Sequence, residues 1–448
     1  MRGVRRVSAG LADQAVIALA NAGNTVLALA LLPRDRSGTM LLSLGLAYLV
    51  MFLNRAFVGD VLLALASRYD GERRDRLVVN GVAAAVAVGA LAAVILLAVW
   101  AVWPRDAKID LRDLVWIAPF LPVIVAHDTG RFSYLADRTP GRALTIDLTW
   151  VGAQAVAVTV MIATGLTSAG GLFVCWGIGA AAGATVFVVR TGLRPWRGRP
   201  LRWVAETRHL SGWFTATALV GQVQVQAVGF IVTGQLSTAD RSGLRGAQTA
   251  LIQPVQNFVT AVQGLVVPRA SRLARDAAAA PAAAAARDNA AAELRRMTRL
   301  LALAFTGLAV LLVAVMWPVA TLALTHVHKF ADIAPLALPM SLQAAIYLVQ
   351  VPFTSALRAM HRARMLFTQY VTFTAVSLTA LVVGAHAGGL AGAAWGLTVG
   401  ASVGLAVMIG LYRYSLRWLG RDEPDRYAED GSVRLVPPTG NAVASPLP

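Results

Sequence analysis

Asp35-Arg36-Ser37-Gly38 opens an apolar stretch that closes with Ala66-Ser67-Arg68, and Asp240-Arg241-Ser242-Gly243 opens another that closes with Ala270-Ser271-Arg272. Two more pairs follow in the same order. Ala169-Gly170-Gly171-Leu172, with Trp176-Gly177 behind it, returns as Ala387-Gly388-Gly389-Leu390 with Trp395-Gly396. Arg142-Ala143 returns as Arg362-Ala363. The offsets are about 205, 218 and 220, nearly constant and in order, so the chain reads as an internal duplication. Each half holds an even number of apolar runs, which makes the repeat parallel, with its axis along the membrane normal.

The composition sets the solvent. Of 448 residues, 57% are hydrophobic and 14% charged, with a mean hydropathy of +0.62. Soluble domains carry about 25% charged residues, so a soluble enzyme, a disordered chain and a disulfide scaffold are all excluded. A bilayer span needs about 20 apolar residues. Twelve runs qualify, at roughly 11–32, 41–64, 77–103, 114–135, 144–164, 168–190, 212–234, 247–267, 300–324, 333–356, 366–385 and 388–412. The sequence thus describes an all-α polytopic membrane protein, with about twelve transmembrane helices in two six-helix bundles related by a pseudo-two-fold along the membrane normal. The bundles are residues 1–190 and 211–412. A basic cytoplasmic linker, 191–210, joins them, an Ala-rich cytoplasmic loop, 270–298, lies within the second, and a Pro/Gly/Asp-rich tail, 413–448, follows and reads as disordered.

The net charge of +17 is first a statement about orientation. With a cytoplasmic N-terminus, thirty of the forty Lys and Arg residues fall on the cytoplasmic side and eight on the other, leaving Arg55 and Arg131 inside spans. That asymmetry predicts a multi-pass protein of the plasma (inner) membrane with both termini cytoplasmic. Nucleic acid is a poor partner for such a chain. Asp13, Gln14, Asn21 and Asn24 interrupt the first apolar run, so it reads as a retained span and not a cleaved signal. The lone Cys175 sits in a span as packing. His326 and His328, in an outer loop, are weak metal evidence without further ligands. No site for a metal or cofactor is evident, and no P-loop occurs.

Polar residues inside spans carry the functional signal, because a mid-bilayer charge costs about 2.5–3.5 kcal/mol and normally faces protein or water. In the eighth span, Arg245, Thr249, Gln253, Gln256, Asn257, Thr260, Gln263 and Gly264 follow a 3–4 residue spacing and form one polar stripe. Asn21 and Asn24 belong to a similar stripe in the first span. Arg55 is the deep charge of the second, and Asp60, about 140° around an α-helix from it, points elsewhere. Asp128 and Arg131 in the fourth span can pair at i, i+3, and Asp147 of the fifth can join them, as an ion-coupling site or a structural pair. His127 reads as a packed histidine. Spans three, six, nine and eleven carry little polarity and fit the lipid.

Taken together, the chain resembles the multidrug/oligosaccharidyl-lipid/polysaccharide (MOP) superfamily, and within it the Wzx-type polysaccharide flippases. The likeness rests on twelve spans in two halves, on polar helices one, two, seven and eight, and on the short basic turns after spans four and ten. It also rests on Gly246-Ala247-Gln248-Thr249 through Val267-Pro268-Arg269, and on Asp128-Thr129-Gly130-Arg131-Phe132 through Gly141-Arg142-Ala143 and Asp147-Leu148-Thr149-Trp150. The resemblance implies a V-shaped pair of bundles around an alternating-access cavity. The substrate implied is an undecaprenyl-diphosphate-linked oligosaccharide, moved from inner to outer leaflet for surface polysaccharide assembly. Arg55, Arg245, Gln253, Gln256, Asn257, Gln263, Asn21 and Asn24 would line the site. Membrane lipids surround such a protein, and glycosyltransferases and a polymerase of the same pathway would be its partners. Helix one lacks the interior arginine that the family often has. Two alternatives stay open: a multidrug/cation antiporter of the same superfamily, which would use Asp60, Asp128 and Asp147, or a major-facilitator-like transporter, whose loop signature Leu135-Ala136-Asp137-Arg138-Thr139-Pro140-Gly141-Arg142 resembles. A glycan polymerase or ligase would need a large outer loop, and the sequence offers none.

Overall fold

A computed structural model describes residues 2–104, 111–236, 238–278, 284–326 and 334–417. Among them there is no strand, and twelve long helical runs account for nearly everything. The first half holds α1 (Arg2–Leu31), α2 (Arg34–Asn54, continued by Arg55–Gly59, Asp60–Leu65 and Ala66–Arg68), α3 (Gly71–Val102), α4 (Leu121–Ala136), α5 (Pro140–Ala163) and α6 (Ala169–Thr191). The second holds α7 (Pro200–Gln235), α8 (Thr238–Ala247, Gln248–Ile252 and Gln253–Ala278), α9 (Ala284–His326), α10 (Ala337–Ala359), α11 (363–387) and α12 (390–417).

Local chemistry sets the ends. Pro140 and Pro200 sit in the first turns of α5 and α7, where a missing N–H costs nothing. Ser168 caps α6 by accepting from the Gly171 N–H at 3.0 Å, and Gly192 closes it at φ +67°. Gly388-Gly389, the repeat of Gly170-Gly171 at the start of α6, breaks the α11–α12 hairpin at φ −147° and +57°, the latter a conformation that favours glycine. α7 starts at Pro200, so the later part of the 191–210 stretch is helical. Much of the Ala-rich 270–298 segment is also helical, as the ends of α8 and α9. Of the tail, 413–417 continues α12, and the remainder lies outside the described residues, as does His328.

Among the described residues, nine stretches are long and apolar enough to cross a membrane, the last of them containing both α11 and α12. The helices missing from that set are α4, which is only 16 residues long, and the polar α8. α3 and α9 turn large apolar side chains outward, including Leu91, Val94, Leu303 and Val310. α6 does not share that role: Phe173, Cys175 and Trp176 are buried, and Gly179 brings it against Trp150 of α5. Its Gly/Ala-rich sequence lets the backbones approach.

The apolar core has three parts. One is shared by both halves at the Arg-rich ends of the helices, the basic end: Leu62, Leu77, Phe132 and Ile146 pack with Trp203, Phe214, Val267, Leu357 and Tyr412. The other two are separate and lie toward the opposite end. One belongs to the first half (Leu44, Leu114, Phe173, Trp176) and one to the second (Val232, Leu244, Met340, Leu397). The halves are therefore joined at the basic end and packed independently at the other.

Candidate functional site

Inside the first half, Arg131 of α4 gathers three carboxylates from three helices. Its Nε lies 3.1 Å from Asp13 Oδ2 of α1 and 3.4 Å from Asp147 Oδ2 of α5, and its Nη1 lies 3.1 Å from Asp128 Oδ1 one turn away. His127 Nε2 is 3.2 Å from Asp147 Oδ1. Asp13 and Asp147 are fully buried. The Asp128–Arg131 spacing and the reach of Asp147 were legible in the sequence. In the sequence Asp13 stands out only as a polar interruption of the first apolar run. A buried carboxylate in a lipid-facing chain must have a partner, and that was the available signal.

At the floor between the halves stands a second cluster. α2 carries a π turn at Arg55–Gly59, and its i→i+5 bonding returns Asp60 over Arg55, whose Nε is 3.8 Å from Asp60 Oδ1. The expectation that Asp60 points away, which assumed uninterrupted α geometry, is thereby corrected. The same carboxylate meets Arg358 of α10 at 3.0 Å, across the two halves. Arg358 Nη1 also reaches Gln263 Oε1 of α8 at 3.4 Å. Arg55 lies 5.3 Å from the Phe132 ring centre and Arg358 5.6 Å from that of Phe214. The side chains of Arg55 and Arg358 are 27% and 18% accessible, against 0% for Asp13 and Asp147. What the interface between the halves presents is guanidinium. Arg358, in the last turn of α10, is one of the thirty basic residues that orientation alone explains, and only the three-dimensional packing reveals its contact with the first half.

Above this floor runs the α8 stripe. Gly264 packs on Leu135 of the first half, which fixes the face that α8 turns toward it. On the same face Gln263 and Gly264 are buried, while Gln253, Gln256 and Asn257, nearer the opposite end, are exposed, as is Arg245. The face is buried at the basic end and exposed above it, where Gln253, Gln256 and Asn257 form an amide-rich wall. Asn21 is half-buried. Asn24 is not part of that wall: its Oδ1 accepts from Gln154 Nε2 of α5 at 2.5 Å, a tie within the first half.

The basic end is sealed by arginines on carbonyls. Arg272 Nε donates to Ser67 O at 2.8 Å, with its Nη2 3.3 Å from Asp70, and Arg275 donates to Arg68 O. In the reverse sense, Arg68 Nη2 donates to Ala359 O at 2.6 Å, and His361 Nε2–H donates to Ala64 O at 3.3 Å. Helix C-termini offer unsatisfied carbonyls and partial negative charge, so cationic donors suit them. Burial and the neighbouring Arg68 hold the His361 imidazole well below its ordinary value, and His209 faces the same ring.

The sequence matches no family model and no curated protein. Solved structures do match. The Vibrio cholerae MATE transporter VcmN, as a point mutant, superposes with TM-score 0.76 at 14% identity, over 92% of this chain and 96% of that one. The fold is that of the MATE transporters. A multidrug-resistance MATE family transporter of the MOP superfamily, in an outward-facing conformation, gives 0.71 at 12% identity over 93% and 95%. A MOP superfamily transporter from Pyrococcus furiosus gives 0.72 at 12% identity, again over 93% and 95%. Its binding pocket is described as having reverse polarity, suggesting a different function. The two-bundle, twelve-helix architecture expected from the duplication is thus present.

Proposed function

We propose that this protein is an alternating-access transporter that moves an anionic, glycan-bearing lipid, a polyprenyl-diphosphate-linked oligosaccharide, from the inner to the outer leaflet. The observation that carries the reading is the pair Arg55 and Arg358 sharing one carboxylate at the cleft floor, beneath an uncharged amide wall. Guanidinium matches phosphate oxygens as a planar fork, and Gln and Asn match sugar hydroxyls. The lipid tail stays in the bilayer beside the cleft. In this reading the basic end faces the cytoplasm, following the distribution of arginine, and the protein works in the plasma membrane beside glycosyltransferases and a polymerase. An inside-negative potential favours outward movement of an anion by about 2.3 kcal/mol per charge per 100 mV.

A second reading, a cation-coupled multidrug antiporter, is favoured by the acid-rich cluster of Asp13, Asp128 and Asp147 around one arginine and by the multidrug transporters that share the fold. In the first reading that cluster supplies ion coupling or rigidity. One strain set separates the two. Deletion traps lipid-linked oligosaccharide on the inner leaflet, and Arg55→Ala fails to restore export although it is expressed. Unchanged lipids together with altered drug susceptibility would establish the antiporter instead.

A further inference from the structure

Two arginines from opposite halves are held by one aspartate, and this arrangement has the form of a site occupied by its own side chain. We propose that Asp60 is a resident counter-ion, standing where a phosphate group of the substrate binds between Arg55 and Arg358, and that substrate and Asp60 exchange during transport. The inference rests on the anionic-substrate reading above and specifies how that site works.

Four observations support it. Asp60 reaches Arg55 only through the π turn, a distortion of a kind common at functional sites. Two guanidinium groups share one carboxylate in direct contact, so this contact set carries one more positive than negative charge at a partly desolvated position, and a group with two negative charges balances it better. The donors are underused: Arg358 Nε is buried without a hydrogen bond, and each guanidinium has five N–H groups. Finally, the Asp60–Arg358 contact crosses between the halves, so displacing Asp60 removes a tie at the basic end. Arrival of the anion would then loosen the closure it must pass. After release at the far side, Asp60 would return to the arginines and favour the closed basic end seen here.

The competition predicts an unusual sign, since removing a charged residue from the site improves binding. Purified full-length protein in detergent is titrated with farnesyl diphosphate, farnesyl monophosphate and farnesol by intrinsic fluorescence, with dodecyltrimethylammonium as the cationic probe. Asp60→Asn should tighten farnesyl diphosphate binding at least tenfold, tighten the monophosphate less and leave farnesol unchanged. Asp60→Glu, which keeps the charge and lengthens the arm, should not tighten it and guards against a folding artefact. Arg358→Gln should weaken diphosphate binding and abolish the gain from Asp60→Asn. If the wild type binds the diphosphate and Asp60→Asn leaves its affinity equal or weaker, the exchange is refuted and the anionic reading stands. If the wild type binds only the ammonium probe, the anionic reading itself falls, and the exchange with it.

Discussion

Arg131→Met is the most demanding test of the buried cluster. Three carboxylates lie 3.1–3.4 Å from this one guanidinium, and two of them are fully buried. Removing one partner of a buried ion pair costs about 3–5 kcal/mol. Without the arginine the cluster must take up protons to offset its excess negative charge. Thermal unfolding in detergent, at a fixed scan rate because such unfolding is irreversible, should shift down by on the order of 5 °C at pH 7.5. The penalty should shrink as protons become cheaper, by about 1.4 kcal/mol per pH unit, so the variant recovers part of the loss at pH 5.5. Methionine preserves apolar bulk, so a loss caused by lost packing alone would not depend on pH. A variant that melts with the wild type at pH 7.5 would refute the claim that Arg131 holds the three helices together.

The closure at the basic end makes two predictions. Arg272→Ala removes the donors to Ser67 O and Asp70, so spin labels on Glu72 and Arg364, in opposite halves, should show a longer distance population by pulsed electron resonance. His361 is held neutral while the end is closed; an open end returns it to the ordinary imidazole range, near 6.5. The closed form thus binds fewer protons, its advantage is fully present above about pH 6.5 and is lost as pH falls below it, and His361→Gln should flatten that dependence in the same labelled protein. In the α11–α12 hairpin, a Cβ on Gly384 or Gly392 would collide with the other's backbone carbonyl. Gly392→Ala should therefore cost about 1–3 kcal/mol or more and lower the folded yield, whereas Gly388→Ala, with open space around it, should not.

What the sequence revealed and what it hid divide along physical lines. Hydrophobic length and the three ordered repeats are local or periodic signals, and they sufficed for twelve helices in two halves. Asp128 and Arg131 are one turn apart, so helical geometry alone paired them. Asp13 joins them from 118 residues away, and no periodicity connects the two. Arg55 and Asp60 were misjudged because a π turn changes the angular sum over five residues, and nothing in Arg55-Ala56-Phe57-Val58-Gly59 announces it. Asn24 was grouped with the cleft by helical phase, but phase cannot show that Gln154 stands opposite. Arg358 was hidden by its position in the last turn of its helix, where a basic residue has a sufficient topological explanation.

That last case bears on the whole charge pattern. Thirty basic residues on one side of a membrane protein are explained by orientation, and it is tempting to grant them no other role. Yet Arg68, Arg272, Arg275 and Arg358 each bind the opposite half. Two of them, Arg68 and Arg272, are the closing residues of the duplicated Ala-Ser-Arg triplets, so the duplication that built the two halves also supplied part of the contact between them. Hydrogen bonds to charged groups are worth about 1.5–3 kcal/mol each. A handful is therefore of the same order as the work available from moving a doubly charged headgroup through 100 mV, about 5 kcal/mol. A closure of that size holds the resting shape and still yields to a bound anion, whereas sealing the same surface with apolar packing alone would give no group that a phosphate could displace.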